Sequence, residues 1–212
     1  MPPKDFVALA GVWCRDQSAI LLGFIWQAYD QMKLDDPEVN PKSLERSITQ
    51  LLEPRVRDVM SGDEPFYIQH GSYEHETMKK PPAQPPQYDM AFVLRADERI
   101  MWPSEAKVLE TAKSVSEYVK EMRQQFIECR YAPFCSEGSM LGYLLSGIPA
   151  DAFEKIANDV PCVLENHQNF PSRPQKISVH HRNVPAGKSL TAEFRCHHLI
   201  LEFLNLRRNL KI

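Results

Sequence analysis

This chain has no CxxC pair, no long apolar run and little net charge. Its five cysteines, Cys14, Cys129, Cys135, Cys162 and Cys196, are odd in number. That excludes a fully paired disulfide framework and points to free thiols in a reducing compartment. The apolar run from Ala19 to Trp26 is too short to span a bilayer and is interrupted by Gly23. Met1-Pro2-Pro3-Lys4-Asp5 is not followed by a hydrophobic segment of signal-peptide length. The expectation is therefore a cytoplasmic protein with no membrane span. A formal charge of -3 excludes coating of nucleic acid by bulk electrostatics, while leaving room for a local basic groove. Neither a helix-turn-helix nor a zinc-finger pattern is present, and no internal repeat divides the chain.

What is present is enough apolar material for one core. At 43% hydrophobic residues over 212 positions, the chain is in the globular range and is expected to form a single domain. Ile20, Leu21, Phe24, Ile25, Tyr29 and Met32 recur at helical spacing, predicting a buried helix over 16–34. A second helix is expected from Asn40-Pro41, with Leu44, Ile48, Leu51 and Leu52 as its stripe and Pro54 as a stop or kink. A strand over 66–77 leads into the stiff proline-rich segment 79–86. Beyond it, Met90-Ala91-Phe92-Val93-Leu94 and the run from Ile100 to Leu109 flank the turn Arg95–Arg99, predicting a hairpin. Val115, Tyr118, Val119, Met122 and Phe126 then mark an amphipathic helix. Met140–Leu145 is expected as a strand and 151–158 as a short helix. The segments 177–181 and 194–204 read as late strands, the second with a helical alternative.

Three residues of the hairpin carry chemistry. Side chains alternate along a strand, so Glu105 and Lys107 leave the same face, and pairing brings Asp89 toward them. Two carboxylates and a lysine at one sheet edge suit a hard divalent cation beside a group that activates water.

The order of these elements resembles the core of the PD-(D/E)xK, or restriction-endonuclease-like, nuclease superfamily. Asp89 matches its first-strand acid, preceded by Tyr88 in place of proline, and Glu105-Ala106-Lys107 matches its E-x-K. Glu45-Arg46-Ser47-Ile48-Thr49-Gln50-Leu51-Leu52 is similar to the E-x-x-I-T-x-x-L pattern on the first core helix, with Glu53 as the weaker alternative acid. The resemblance spans about 40–147. It implies an α/β fold with a mixed central β-sheet flanked by helices; the N-terminal helices over 16–60 and the C-terminal helix and strands over 151–212 extend beyond that core.

It further implies a magnesium-dependent endonuclease, with manganese as a substitute metal, hydrolysing phosphodiester bonds of DNA, or alternatively of RNA. Asp89, Glu105 and the Ala106 carbonyl would be metal ligands, Lys107 the water-activating group, and Glu45 a further member of the site. A homodimer or a larger complex would supply specificity, as in restriction or phage-defence systems. The reading from a different class is a non-catalytic, nuclease-like interaction subunit.

Other candidates are weaker. His180-His181 and Cys196-His197-His198 suggest zinc, yet adjacent strand residues face opposite ways, which favours polar strand positions. Cys135 lacks the surroundings of a nucleophile. Glu137 and Ser139 are expected at the mouth of the following strand, where they could line the same site. Phosphate contacts are conceivable at Arg55, Arg57, Lys79-Lys80, Arg173, Lys176, Arg182, Lys188 and Arg207-Arg208 with Lys211.

Overall fold

The computed structural model describes residues 4–74, 76–77, 85–110, 112–160 and 162–205. Most of the proline-rich segment, Lys79 and Lys80 included, and Arg207, Arg208 and Lys211 lie outside the described residues.

The first helix, α1, runs from Lys4 to Asp35, well upstream of the expected start. Val7, Ala10, Cys14, Ser18, Leu21, Ile25, Ala28 and Met32 are all buried, a stripe advancing by steps of three or four. Its early members are small, so their apolar signal is faint in sequence. Helix α2, Leu44–Val59, passes through Pro54 without ending. Interior proline costs about 3 kcal/mol. Burial of Ile48 and Leu52 before it and Val56 after it, about 1.5–3 kcal/mol for each large apolar side chain, offsets that cost.

Among the described residues, seven strands form one mixed sheet in the order β1-β2-β3-β4-β7-β6-β5. These are β1 Phe66–His70, β2 Met90–Leu94, β3 Met101–Leu109, β4 Glu137–Leu144, β5 Glu165–Asn166, β6 Gln175–His181 and β7 Glu193–Glu202. The antiparallel meander β1-β2-β3 and its hairpin are as expected. Strand β1 is shorter than predicted, because Gly71 takes a left-handed φ of 69° and turns the chain. The Gly71 N–H then donates to the Asp89 carbonyl at 3.1 Å.

Helix α3, Ala112–Met122, makes the crossover from β3 to the parallel strand β4 and ends in a π-helical turn, Arg123–Ile127. Helix α4, Pro149–Asp159, starts with proline in its first turn. Strand β7 is fully extended and pairs with β4 on one side and β6 on the other. Burial on both faces gave its sequence a continuous apolar run, hence the helical ambiguity.

Register assigns the faces. Glu105 pairs with Met140 and Ser104 with Ser139, so Met140 shares the Glu105 face and Ser139 the opposite one. Tyr118 of α3 bonds the side chain of His198, the β7 partner of Met140, at 2.8 Å, placing α3 on the Glu105 face. Thr49 of α2 bonds Tyr143 at 2.9 Å, and Ser18 of α1 accepts from Trp102 at 2.8 Å. Both N-terminal helices therefore cover the other face. Among the described residues, no helix is long and apolar enough to cross a membrane.

Arg182, read as a surface residue that could touch phosphate, is instead 6% exposed and structural. Its guanidinium donates to the carbonyls of Phe126 at 3.0 Å, Ala132 at 2.8 Å and Tyr131 at 2.5 Å, and to Thr191 Oγ1 at 2.9 Å. It thereby pins a loop in which Cys129 and Ala132 adopt left-handed φ values of 54° and 51°. Replacing Arg182 by Met removes these charge-assisted donors from the loop carbonyls, that of Tyr131 among them. The Arg182→Met variant should lose about 3 kcal/mol in urea unfolding; a loss under about 1 kcal/mol would show that the loop holds itself.

Candidate functional site

Strand β2 stops opposite Ser104, so the flank of β3 beyond that point has no strand beside it. Two carboxylates take the place of the missing strand. The Ala106 N–H donates to Asp89 Oδ2 at 2.8 Å, and the Val108 N–H donates to Glu45 Oε2 at 3.3 Å. The carbonyl and N–H of one strand residue point the same way, so the Ala106 carbonyl also faces this flank.

Lys107 closes the arrangement. Its Nζ lies 2.9 Å from Glu45 Oε1 and 3.7 Å from Glu105 Oε1. The four charged residues expected from the sequence are therefore brought together. Glu45 qualifies because the first turn of α2 begins at Leu44, which sets it beside the β3 flank. Glu53, the alternative acid, is instead paired with Arg57 on its own helix.

Electrostatically the site is strained. Burial pushes the Asp89 carboxyl up to about 6, although the Ala106 N–H and the Lys107 charge pull the other way. Burial, then the neighbouring Asp89 charge, hold Glu105 well above the carboxylate range. Glu105 is 5% exposed and its Oε2 has no hydrogen-bond partner. Burial alone would lower Lys107, but the charges of Glu105, Glu45 and Asp89 outweigh it and hold the ammonium above its usual 10.5. The site is a desolvated carboxyl pair with a firmly protonated lysine.

Residues that the sequence reading missed surround it. Glu121 adds negative charge next to Glu105 and accepts from Gln125 Nε2 at 2.6 Å. Tyr131 feels the charges of Glu105, Asp89 and Glu121 and donates to the Gln87 carbonyl. Tyr118, Glu121 and Gln125 follow a three-then-four spacing, which is the one signal that could have placed the last two on the site side of α3.

One possibility is corrected, that Glu137 and Ser139 line the site, while Cys135 and the paired histidines are as expected. Glu137 and Ser139 do not line this site, because the parallel register turns them to the opposite sheet face. Cys135 is buried and its thiol donates to the Glu137 carbonyl at 3.0 Å. His198 bonds Tyr118 and Ser178, while His197 bonds Glu137 on the other face. Arg55 is paired with Asp35, and Arg173 with Asp30. Among the described residues, no group of three or more His, Cys, Asp or Glu is placed to hold a metal ion. Asp89 and Glu105 form a pair, and both Glu45 oxygens are engaged by Lys107 and Val108. No family model, curated protein or solved structure matches the chain.

A raised carboxyl pKa in the fold makes ionisation unfavourable there. The stability Asp89 contributes is full below its ordinary 3.8 and falls as pH rises to about 6. In metal-free buffer, Asp89→Asn should therefore raise stability at pH 8 by on the order of 2 kcal/mol. The two proteins should converge near pH 3.5 in urea titrations. A variant less stable than the parent at pH 8 would contradict the burial of an uncompensated charge.

Proposed function

We propose that the chain is a metal-dependent nuclease of the PD-(D/E)xK type that hydrolyses DNA phosphodiester bonds. The observation that carries this reading is the gathering of Asp89, Glu105, Lys107 and Glu45 on one open strand flank. The element order supports it as well: α2, the meander β1-β2-β3, the crossover α3 and the parallel strand β4 follow the restriction-endonuclease-like core.

The residues present fit a hard divalent cation. Glu105 Oε2 is buried without a donor, and Asp89 and Glu105 burden one another with charge. Asp89, Glu105 and the Ala106 carbonyl would hold Mg2+ or Mn2+ through oxygen alone, the donor set such ions favour. When bound, the ion supplies Lewis acidity at a phosphate oxygen.

The protein's own groups do the rest. Lys107 stays protonated, so it orients the attacking water and sets positive charge beside the phosphate as its negative charge grows. Proton acceptance falls to a carboxylate of the Asp89–Glu105 pair. Glu45, bound to Lys107 and to the β3 backbone, fixes the ammonium in place; it is a positioning residue. Because Arg55, Arg173 and Arg182 are spent on internal contacts, a partner protein or second copy in the cytoplasm would deliver and select the duplex.

The reading as a non-catalytic interaction subunit has one observation in its favour, the pair rather than trio of metal-facing acids. Plasmid nicking separates the two, with RNA assayed in parallel. Mg2+-dependent nicking is expected, lost by at least about a thousandfold in Lys107→Ala, with unchanged circular dichroism. Undiminished cutting by Lys107→Ala removes the assignment of this lysine, and no cutting of either nucleic acid by the parent favours the interaction subunit.

A further inference from the structure

The sheet face opposite Glu105 carries a second polar cluster. Glu137 of β4 and His197 of β7 lie there, with Glu137 Oε2 2.9 Å from His197 Nε2. Arg195 adds a contact to Glu137 Oε1 at 3.2 Å. Although buried, Glu137 is held below the usual carboxylate range, because these neighbours outweigh desolvation. Its acceptor capacity is spent inside the protein. His197 is 2% exposed, and its Nδ1 has no partner.

A cavity of about 280 Å3 opens beside this cluster, between α1 and the segment that joins β5 to β6. Its lining brings the donors Arg15, Arg195 and His167 together with two carboxylates, the engaged Glu137 and the exposed Glu165. Arg15 of α1 is exposed at its wall and enters no ion pair with a described residue. Arg195 is engaged through one nitrogen and is partly exposed. His167 accepts the Asn169 N–H at its Nδ1, 3.2 Å away, so its proton sits on Nε2. Its ring is tilted against that of His197, with centroids 5.3 Å apart.

We propose that this cavity is a binding site for a phosphomonoester. Two guanidinium groups and an imidazole N–H offer donors to three terminal oxygens, more than a carboxylate presents, and the guanidinium fork matches phosphate geometry. The volume exceeds that of a bare phosphate ion and leaves space for a sugar-sized remainder. A cation is disfavoured, because Glu137 is already engaged by His197 and Arg195, and Glu165, the other carboxylate of the lining, is exposed to solvent. The site lies across the sheet from Asp89 and Glu105 and stands whether or not the chain is a nuclease.

Two sources of the group are chemically equivalent, a small sugar phosphate and the 5′-phosphate of a nucleic-acid end. Calorimetric titration of the full chain with ribose 5-phosphate, and with oligonucleotides bearing either a 5′-phosphate or a 5′-hydroxyl, tells them apart. Saturable binding of ribose 5-phosphate assigns a small ester; binding only of the 5′-phosphorylated oligonucleotide assigns a nucleic-acid end. In either case Arg15→Ala, which alters an exposed side chain, and Arg195→Gln should each weaken binding by about tenfold or more. No saturable binding of any phosphate, or equal binding by both variants, would overturn the proposal.

Discussion

The site depends on carboxylates doing the work of a missing strand. Where β2 ends, the N–H groups of Ala106 and Val108 would face solvent or an open edge, and Asp89 and Glu45 accept them. Buried backbone donors need partners, so these two bonds fix the acids relative to β3 more firmly than surface packing would. Gly71 contributes by turning the chain after β1 and donating to the Asp89 carbonyl.

The same arrangement concentrates charge. Asp89 and Glu105 are pushed above the carboxylate range chiefly by burial, and each makes ionisation of the other harder. Lys107 relieves part of this, and in return its ammonium is held protonated. Such a cluster opposes folding and is retained where a ligand or a reaction uses it. A divalent cation would remove the repulsion and give Glu105 Oε2 a partner. Across the sheet, Glu137 has the opposite fate: despite burial, its contacts with His197 and Arg195 hold it below the usual carboxylate range.

Much of this was legible in the sequence, for reasons that differ by element. The hairpin was readable because two short apolar runs flank a polar turn, and alternation then placed Glu105 and Lys107 together. Glu45 was singled out by the resemblance of 45–52 to the E-x-x-I-T-x-x-L pattern. The first turns of α1 were not, because Ala10, Cys14 and Ser18 are buried yet scarcely hydrophobic. Glu137 and Ser139 were misplaced because parallel register between β3 and β4 is set through a helix crossover, with no turn in the sequence to reveal it. Arg182 was read as surface because its partners are backbone carbonyls, which leave no mark in side-chain identity.

The central proposal is that the crowded Asp89–Glu105 carboxyl pair receives a divalent cation. Calorimetric titration of Mn2+ at pH 6, in buffers of differing ionisation heat, counts the protons released per ion bound. Binding should release about one proton, and Asp89→Asn should lose both the binding and the release. Binding without proton release, and unaffected by Asp89→Asn, would place the metal elsewhere and contradict the account.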